Sequence, residues 1–186
     1  MSIFIMSNNL KKNLLGQSRK LKFNILGILI FSFLLYSCSK SDEEINPSNG
    51  IIYGVNKSAM LTLINNYRTS GCTCGTTYMR PVAKLLWNEK LGQSAYKHTL
   101  DMANNSFFSH TSKDGRTLTE RFFAENYSFS SAGENIANGQ ISEEAVMEGW
   151  INSPGHCRNI MNENYKEVGF ARVENYWTQN FGTPRL

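Results

Sequence analysis

Apolar positions fall along this chain in three rhythms. From Phe23 to Tyr36 the run FNILGILIFSFLLY is apolar almost throughout its 14 residues. A helix that spans a bilayer needs roughly 20 such residues. From Lys57 to Thr69 the apolar positions Met60, Leu63, Ile64 and Tyr67 recur at i, i+3, i+4 and i+7, which predicts an amphipathic helix with one buried stripe. Gly71 to Pro81, dense in Gly and Thr, reads as a loop. Asn88 is placed to cap a second helix running to about Asn105, with Leu91, Ala95, Thr99 and Met102 along one side. Lys113-Asp114-Gly115 marks a turn. Ser142 followed by Glu143 and Glu144 predicts a helix start, and that helix should stop at Ser153-Pro154-Gly155. The third rhythm is β-like. Val168 to Val173 and Tyr176 to Phe181 are rich in β-branched and aromatic residues, with Glu174-Asn175 between them, so a hairpin is expected. Helices and strands in separate blocks predict an α+β layered domain.

Composition narrows this. With 186 residues, 41% hydrophobic and 18% charged, the chain is neither collagen-like nor wholly disordered. The formal charge is +4, but it is unevenly placed. Lys11, Lys12, Arg19, Lys20 and Lys22 face no acidic residue in the first 37 positions; the remainder holds 14 basic against 15 acidic residues, a net of −1. The basic excess therefore belongs to the leader, and no nucleic-acid partner is expected.

A basic stretch, a short apolar core and then small residues form the layout of a secretory signal. The core ends in Leu35-Tyr36-Ser37-Cys38, which resembles the lipobox of bacterial lipoproteins, in which the Cys becomes the acylated first residue. The resemblance implies a signal peptide over 1–37, and a lipidated Cys38 with a flexible linker over 38–55. A domain over 56–186 follows, held extracytoplasmically at a bacterial membrane. The acidic run Ser39-Lys40-Ser41-Asp42-Glu43-Glu44 resembles the export tag of some surface-displayed lipoproteins and equally suits a solvated tether. Export puts Cys72, Cys74 and Cys157 in an oxidising compartment, where a disulfide is favoured and one of the three is left over.

Four motifs in the domain then stand in one order. Phe107-Phe108-Ser109-His110-Thr111 with Asp114-Gly115-Arg116 comes first, then Gly133-Glu134-Asn135-Ile136-Ala137. Trp150 to Ile160 (WINSPGHCRNI) and the closing segments Val168-Gly169 and Tyr176 to Gly182 follow. In this order they resemble the CAP superfamily of cysteine-rich secretory proteins, venom antigen 5 and pathogenesis-related plant proteins. The resemblance implies a single-domain, three-layer α-β-α sandwich. It also implies a cleft built from two histidines, matched by His110 and His156, and an acid matched by Glu134. A second family acid, three residues after the tryptophan matched by Trp150, is Ser153 here. Bacterial members further imply a Cys74–Cys157 disulfide, leaving Cys72 unpaired unless it competes for Cys157.

Two imidazoles in one cleft are a common arrangement for a divalent metal such as Zn²⁺, so His110 and His156 are the candidate ligands. Glu134 is then a third ligand, an orienting partner for one ring, or a catalytic base. His98 matches no cleft motif and reads as a helix residue. Ser109, Ser112 and Ser153 are the nearby hydroxyls, and none lies in a GxSxG-like turn. The residues thus favour a membrane-tethered, non-enzymatic module that binds a metal ion, a small or lipid ligand, or a protein. The alternative is a metal-assisted hydrolase or peptidase using the same cleft.

Overall fold

The structure is a computed structural model that describes residues 51–185. The signal segment, Cys38 and the linker up to residue 50 lie outside the described residues. The elements in order are β1 (Ile51–Ile52), β2 (Val55–Asn56), α1 (Lys57–Ser70), β3 (Cys72–Cys74), β4 (Thr77–Met79), β5 (Leu86–Trp87), α2 (Glu89–Asn105), α3 (Leu118–Ala124), β6 (Phe129–Asn138), α4 (Glu143–Asn152), α5 (Pro154–Ile160), β7 (Glu167–Val173) and β8 (Tyr176–Pro184). Among the described residues no helix is long and apolar enough to cross a membrane.

The central sheet has the order β5-β7-β8-β6. β5 runs parallel to β7, and the other pairs are antiparallel. Side chains alternate across a strand, so each strand serves two layers. On one face Val168, Phe170, Trp177 and Phe181 meet Met60 and Ile64 of α1, Val146, Met147 and Trp150 of α4, and Cys157 and Ile160 of α5. The other face belongs to α2 and α3. Gly169 of β7 lies so close to α2 that a Cβ there would fall on the backbone of Leu91 and Gly92. Thr99 of α2 donates to Thr178 Oγ1 of β8 at 2.7 Å. This is the three-layer α-β-α sandwich, in one α+β domain.

Asn56, Asn88 and Ser142 cap α1, α2 and α4, each accepting from a backbone N–H of the first turn. α4 ends at Ser153, but Pro154 then opens a further helix, α5, as its first residue. Three segments depart from the pattern-based reading. Gly71 to Pro81 is not a bare loop, because Cys72–Cys74 and Thr77–Met79 pair as a hairpin. The linker expected over 38–55 does not extend through its last residues: Ile51–Ile52 pairs with Val55–Asn56, and Val55 is fully buried. β6, ten residues long, forms the edge of the main sheet although its sequence FSSAGENIAN lacks an alternating apolar pattern.

Arg68 occupies the buried stripe of α1 that apolar spacing alone would assign to a hydrophobe. It is 0% exposed. Its fork donates to Ala83 O at 2.7 Å, Ile160 O at 2.6 Å, Asn162 O at 2.9 Å and Tyr165 O at 3.4 Å. Burial pushes its pKa down to about 10. One side chain thereby closes the carbonyls at the ends of two connections. Arg68→Met should lower stability in urea denaturation by about 3–5 kcal/mol, since it strands buried acceptors. Arg68→Lys should recover only part of that loss, because a point charge does not reproduce the planar fork.

Candidate functional site

β6 is the edge strand at which the two helical layers meet, and three motif residues arrive there from different directions. Glu134 lies on β6 itself, opposite Asn180 of β8. His110 stands in the connection after α2, and His156 on α5. The path of that connection is fixed from beneath by His98, which is fully buried. Its Nε2 donates to Ser109 O at 2.9 Å, and Ser112 Oγ lies 3.3 Å from its Nδ1. Burial pushes the His98 pKa down, which keeps the ring neutral and able to accept at Nδ1. On the other side Asn135 donates to Gln179 Oε1 at 2.8 Å and to His156 O at 3.2 Å, and accepts from Asn159 at 2.9 Å. β6 and α5 are thus stitched together next to His156.

The charges form a chain. His110 Nδ1 donates to Glu134 Oε1 at 2.7 Å, and Arg121 Nη2 donates to Glu134 Oε2 at 2.7 Å. The side chains of Glu134 and Arg121 are each 3% exposed, while that of His110 is 60% exposed. With its carboxamide turned to satisfy its neighbours, Asn180 also donates to Glu134 Oε2, at 3.1 Å. Arg121 further donates to His110 O at 2.9 Å and Arg116 O at 3.1 Å. Both carboxylate oxygens of Glu134 are therefore committed, one to the imidazole and one to the guanidinium.

Above this chain lies a cleft of about 640 Å³ lined by His110, His156, Ser153, Gln140 and an apolar wall that includes Phe108 and Ile136. The two imidazoles are driven apart in basicity. The hydrogen bond to Glu134 raises the His110 pKa, whereas burial, together with the nearby His110, lowers that of His156. Among the described residues, no hydroxyl is hydrogen-bonded to either ring, and the only three metal-capable side chains with ligand atoms within 4.8 Å of one another are Cys72, Cys74 and Cys157. His110, Glu134 and His156 do not form such a group. Glu134 instead has the relation to His110 of a carboxylate that fixes a tautomer and aims the free Nε2 outward. Ser153, at the position of the second family acid, links α4 to α5 and lines the cleft without making a side-chain cap bond.

The profile of the cysteine-rich secretory protein (CAP) family matches residues 61–181. This chain belongs to the CAP family. Among curated relatives it is 39% identical over 100 residues to the uncharacterized membrane protein YlbC of Bacillus subtilis (strain 168). It is 38% identical over 96 residues to the uncharacterized protein YkwD of the same strain. Those matches take in 54% and 50% of this chain but only 29% and 37% of the relatives' lengths. Among solved structures, an extracellular SCP-domain protein of Bacillus anthracis str. Ames superposes with a TM-score of 0.61 and 31% identity, over 68% of this chain and 39% of that one. An outer surface protein of Borrelia burgdorferi shares the fold at a TM-score of 0.59 and 21% identity, over 69% of this chain and 92% of that one.

Within this CAP domain, sequence reasoning missed Arg121, Asn180 and the Asn135–Gln179 pair. Arg121 had one readable signal: Thr117-Leu118-Thr119-Glu120 is a capping box, and it starts the helix that carries the arginine. The polarity of the two cleft histidines can be read directly. On raising the pH, imidazole-detected NMR should show His156 losing its proton first and His110 last, on either side of the ordinary value of about 6.5. Because the folded value of His110 lies above the unfolded one, its contact with Glu134 stabilises the fold fully below about pH 6.5, and that contribution is lost as pH climbs through the folded value. Glu134→Gln should bring His110 down toward the ordinary range. A His110 that titrates with or below His156 would contradict this electrostatic arrangement.

Proposed function

We propose that this CAP domain is a non-enzymatic binding module that takes a small amphipathic ligand in the His110–His156 cleft. The single observation that carries the reading is the full commitment of Glu134. A carboxylate base must be reached by water, and the Glu134 side chain is 3% exposed, with both oxygens already accepting at 2.7 Å, from His110 and from Arg121. The hydrolase alternative then has no solvent-reached carboxylate at the rings, and among the described residues no hydroxyl is hydrogen-bonded to either imidazole to serve as its nucleophile. The lining supports a ligand with two ends. Phe108, 52% exposed, offers an apolar wall together with Ile136. His110, whose pKa the hydrogen bond to Glu134 raises, presents its outer ring nitrogen to a carboxylate or hydroxyl oxygen. Gln140 Oε1 is buried without a partner and suits a ligand hydroxyl.

The same two imidazoles offer two nitrogens to a divalent cation such as Zn²⁺, with Glu134 orienting His110. Two protein ligands fall short of the three that catalytic zinc sites use. The domain is proposed to work outside the cytoplasm, tethered to a bacterial membrane through acylated Cys38. The basic-apolar leader, its lipobox-like end and the extracellular or surface nature of the B. anthracis and B. burgdorferi neighbours support this.

The test uses the mature chain from Cys38 and a fluorescent long-chain carboxylate. Saturable binding is expected, weakened at least about tenfold, or 1.4 kcal/mol, by His110→Ala and by Phe108→Ser. Zn²⁺ should give little heat in calorimetry, and a peptide library should remain uncut. In cells, Cys38→Ala should move the protein from the membrane to the soluble fraction. Peptide cleavage abolished by Glu134→Gln would overturn the binding reading in favour of a hydrolase.

A further inference from the structure

Three sulfur atoms meet away from the cleft floor. Cys74 is joined to Cys157 by a disulfide across a sequence separation of 83 residues, and Cys72 remains a free thiol. Cys72 and Cys74 stand at i and i+2 on β3, so both point to the same side of that strand, toward α5. Cys72 Sγ lies 3.7 Å from Cys157 Sγ, and all three sulfurs are within 4.8 Å of one another. The exposures differ. Cys74 and Cys157 are 1% and 0% exposed, while Cys72 is only half-buried. Solvent therefore reaches the third sulfur and not the bridge.

We propose that Cys72 is a thiol–disulfide exchange relay, passing reducing and oxidising equivalents between an external low-molecular-weight thiol–disulfide couple and the buried Cys74–Cys157 bridge. In the reducing direction the Cys72 thiolate attacks Cys157 Sγ. A Cys72–Cys157 bond forms, the Cys74–Cys157 bond breaks, and the electron pair leaves on Cys74, which takes up the proton that Cys72 gave up. The external thiolate then attacks the half-exposed Cys72 sulfur, forms a mixed disulfide there and releases Cys157 as a thiol. A second external thiolate displaces Cys72 and departs as the external disulfide. Two external thiols are oxidised, one bridge is reduced to two thiols, and Cys72 is restored. The oxidising direction is the reverse.

The two pairings close nearly equal loops, spanning 83 and 85 residues, so chain entropy does not choose between them. Local packing does: the buried pairing is the resting one. Burial also raises the Cys72 pKa, which favours the thiol over the attacking thiolate and keeps the resting exchange slow. The bridge fastens the β3–β4 hairpin to α5 at the residue after His156, so its state bears on one wall of the cleft. The proposal itself does not depend on what the cleft binds.

The experiment treats the full chain with excess reduced glutathione under native conditions, quenches by alkylation at intervals, and maps thiols and disulfides by peptide mass spectrometry. The bridge in the wild type should open at least tenfold faster than in Cys72→Ser, and a Cys72–glutathione adduct should appear before both bridge thiols are free. Matching urea midpoints would show that the slow variant is not simply a tighter fold. Equal opening rates in the two proteins would overturn the relay. If Cys72→Ser fails to fold, the wild type decides alone: a first adduct at Cys72 upholds the proposal, and a first adduct at Cys74 or Cys157 refutes it.

Discussion

A carboxylate taken out of water is costly unless opposite charge and hydrogen bonds replace its hydration. Glu134, almost wholly buried, meets that condition through Arg121 on one oxygen and His110 on the other. The rest of the site depends on this pair of contacts. Arg121 comes from α3, Glu134 from β6 and His110 from the connection after α2, so the buried charge acts as a pin through three segments that share no local sequence. The pin also sets chemistry. It raises the His110 pKa, orients that ring at the cleft, and keeps the Glu134 carboxylate away from solvent.

The cleft exists because a sheet edge was left open between two layers. α2 and α3 cover one face, and α1, α4 and α5 cover the other. β6 is the last strand, and the carbonyls near its middle are answered by side chains instead of a further strand: Asn159 donates to Glu134 O at 3.2 Å and Trp150 to Ile136 O at 3.3 Å. The family motifs are therefore also fold constraints. Gly133 admits Tyr165, whose ring occupies the space a side chain would need, and Asn135 fastens β6 to the helix bearing His156.

Much of the fold was legible from local chemistry. Asn88, Ser142 and the apolar spacing of α2 announce their helices because caps and amphipathic stripes are written in neighbouring residues. The β7–β8 hairpin announces itself by aromatic and β-branched density. β6 did not, because its Ser, Gly, Glu and Asn residues are satisfied by partners far along the chain. The pairing of Arg121 with Glu134 was illegible for the same reason, although the capping box of its helix could be read, and so was the burial of Arg68, which depends on four carbonyls that no periodicity marks. The motif residues His110, Glu134 and His156 were legible as a set through their resemblance to the CAP family. The sharing of Glu134 between a histidine and an arginine emerged only with tertiary structure.

The central claim is that Glu134 and Arg121 act as one buried unit. A double-mutant cycle in urea with Glu134→Gln, Arg121→Met and the combination measures that coupling directly. Each single change should cost about 3–5 kcal/mol, because it takes from the remaining buried charge its one equally buried counter-charge. The double variant should be less destabilised than the sum by about 2 kcal/mol or more. Costs that add to within about 0.5 kcal/mol would mean that the two groups do not depend on each other, and the account of the site built on them would fail.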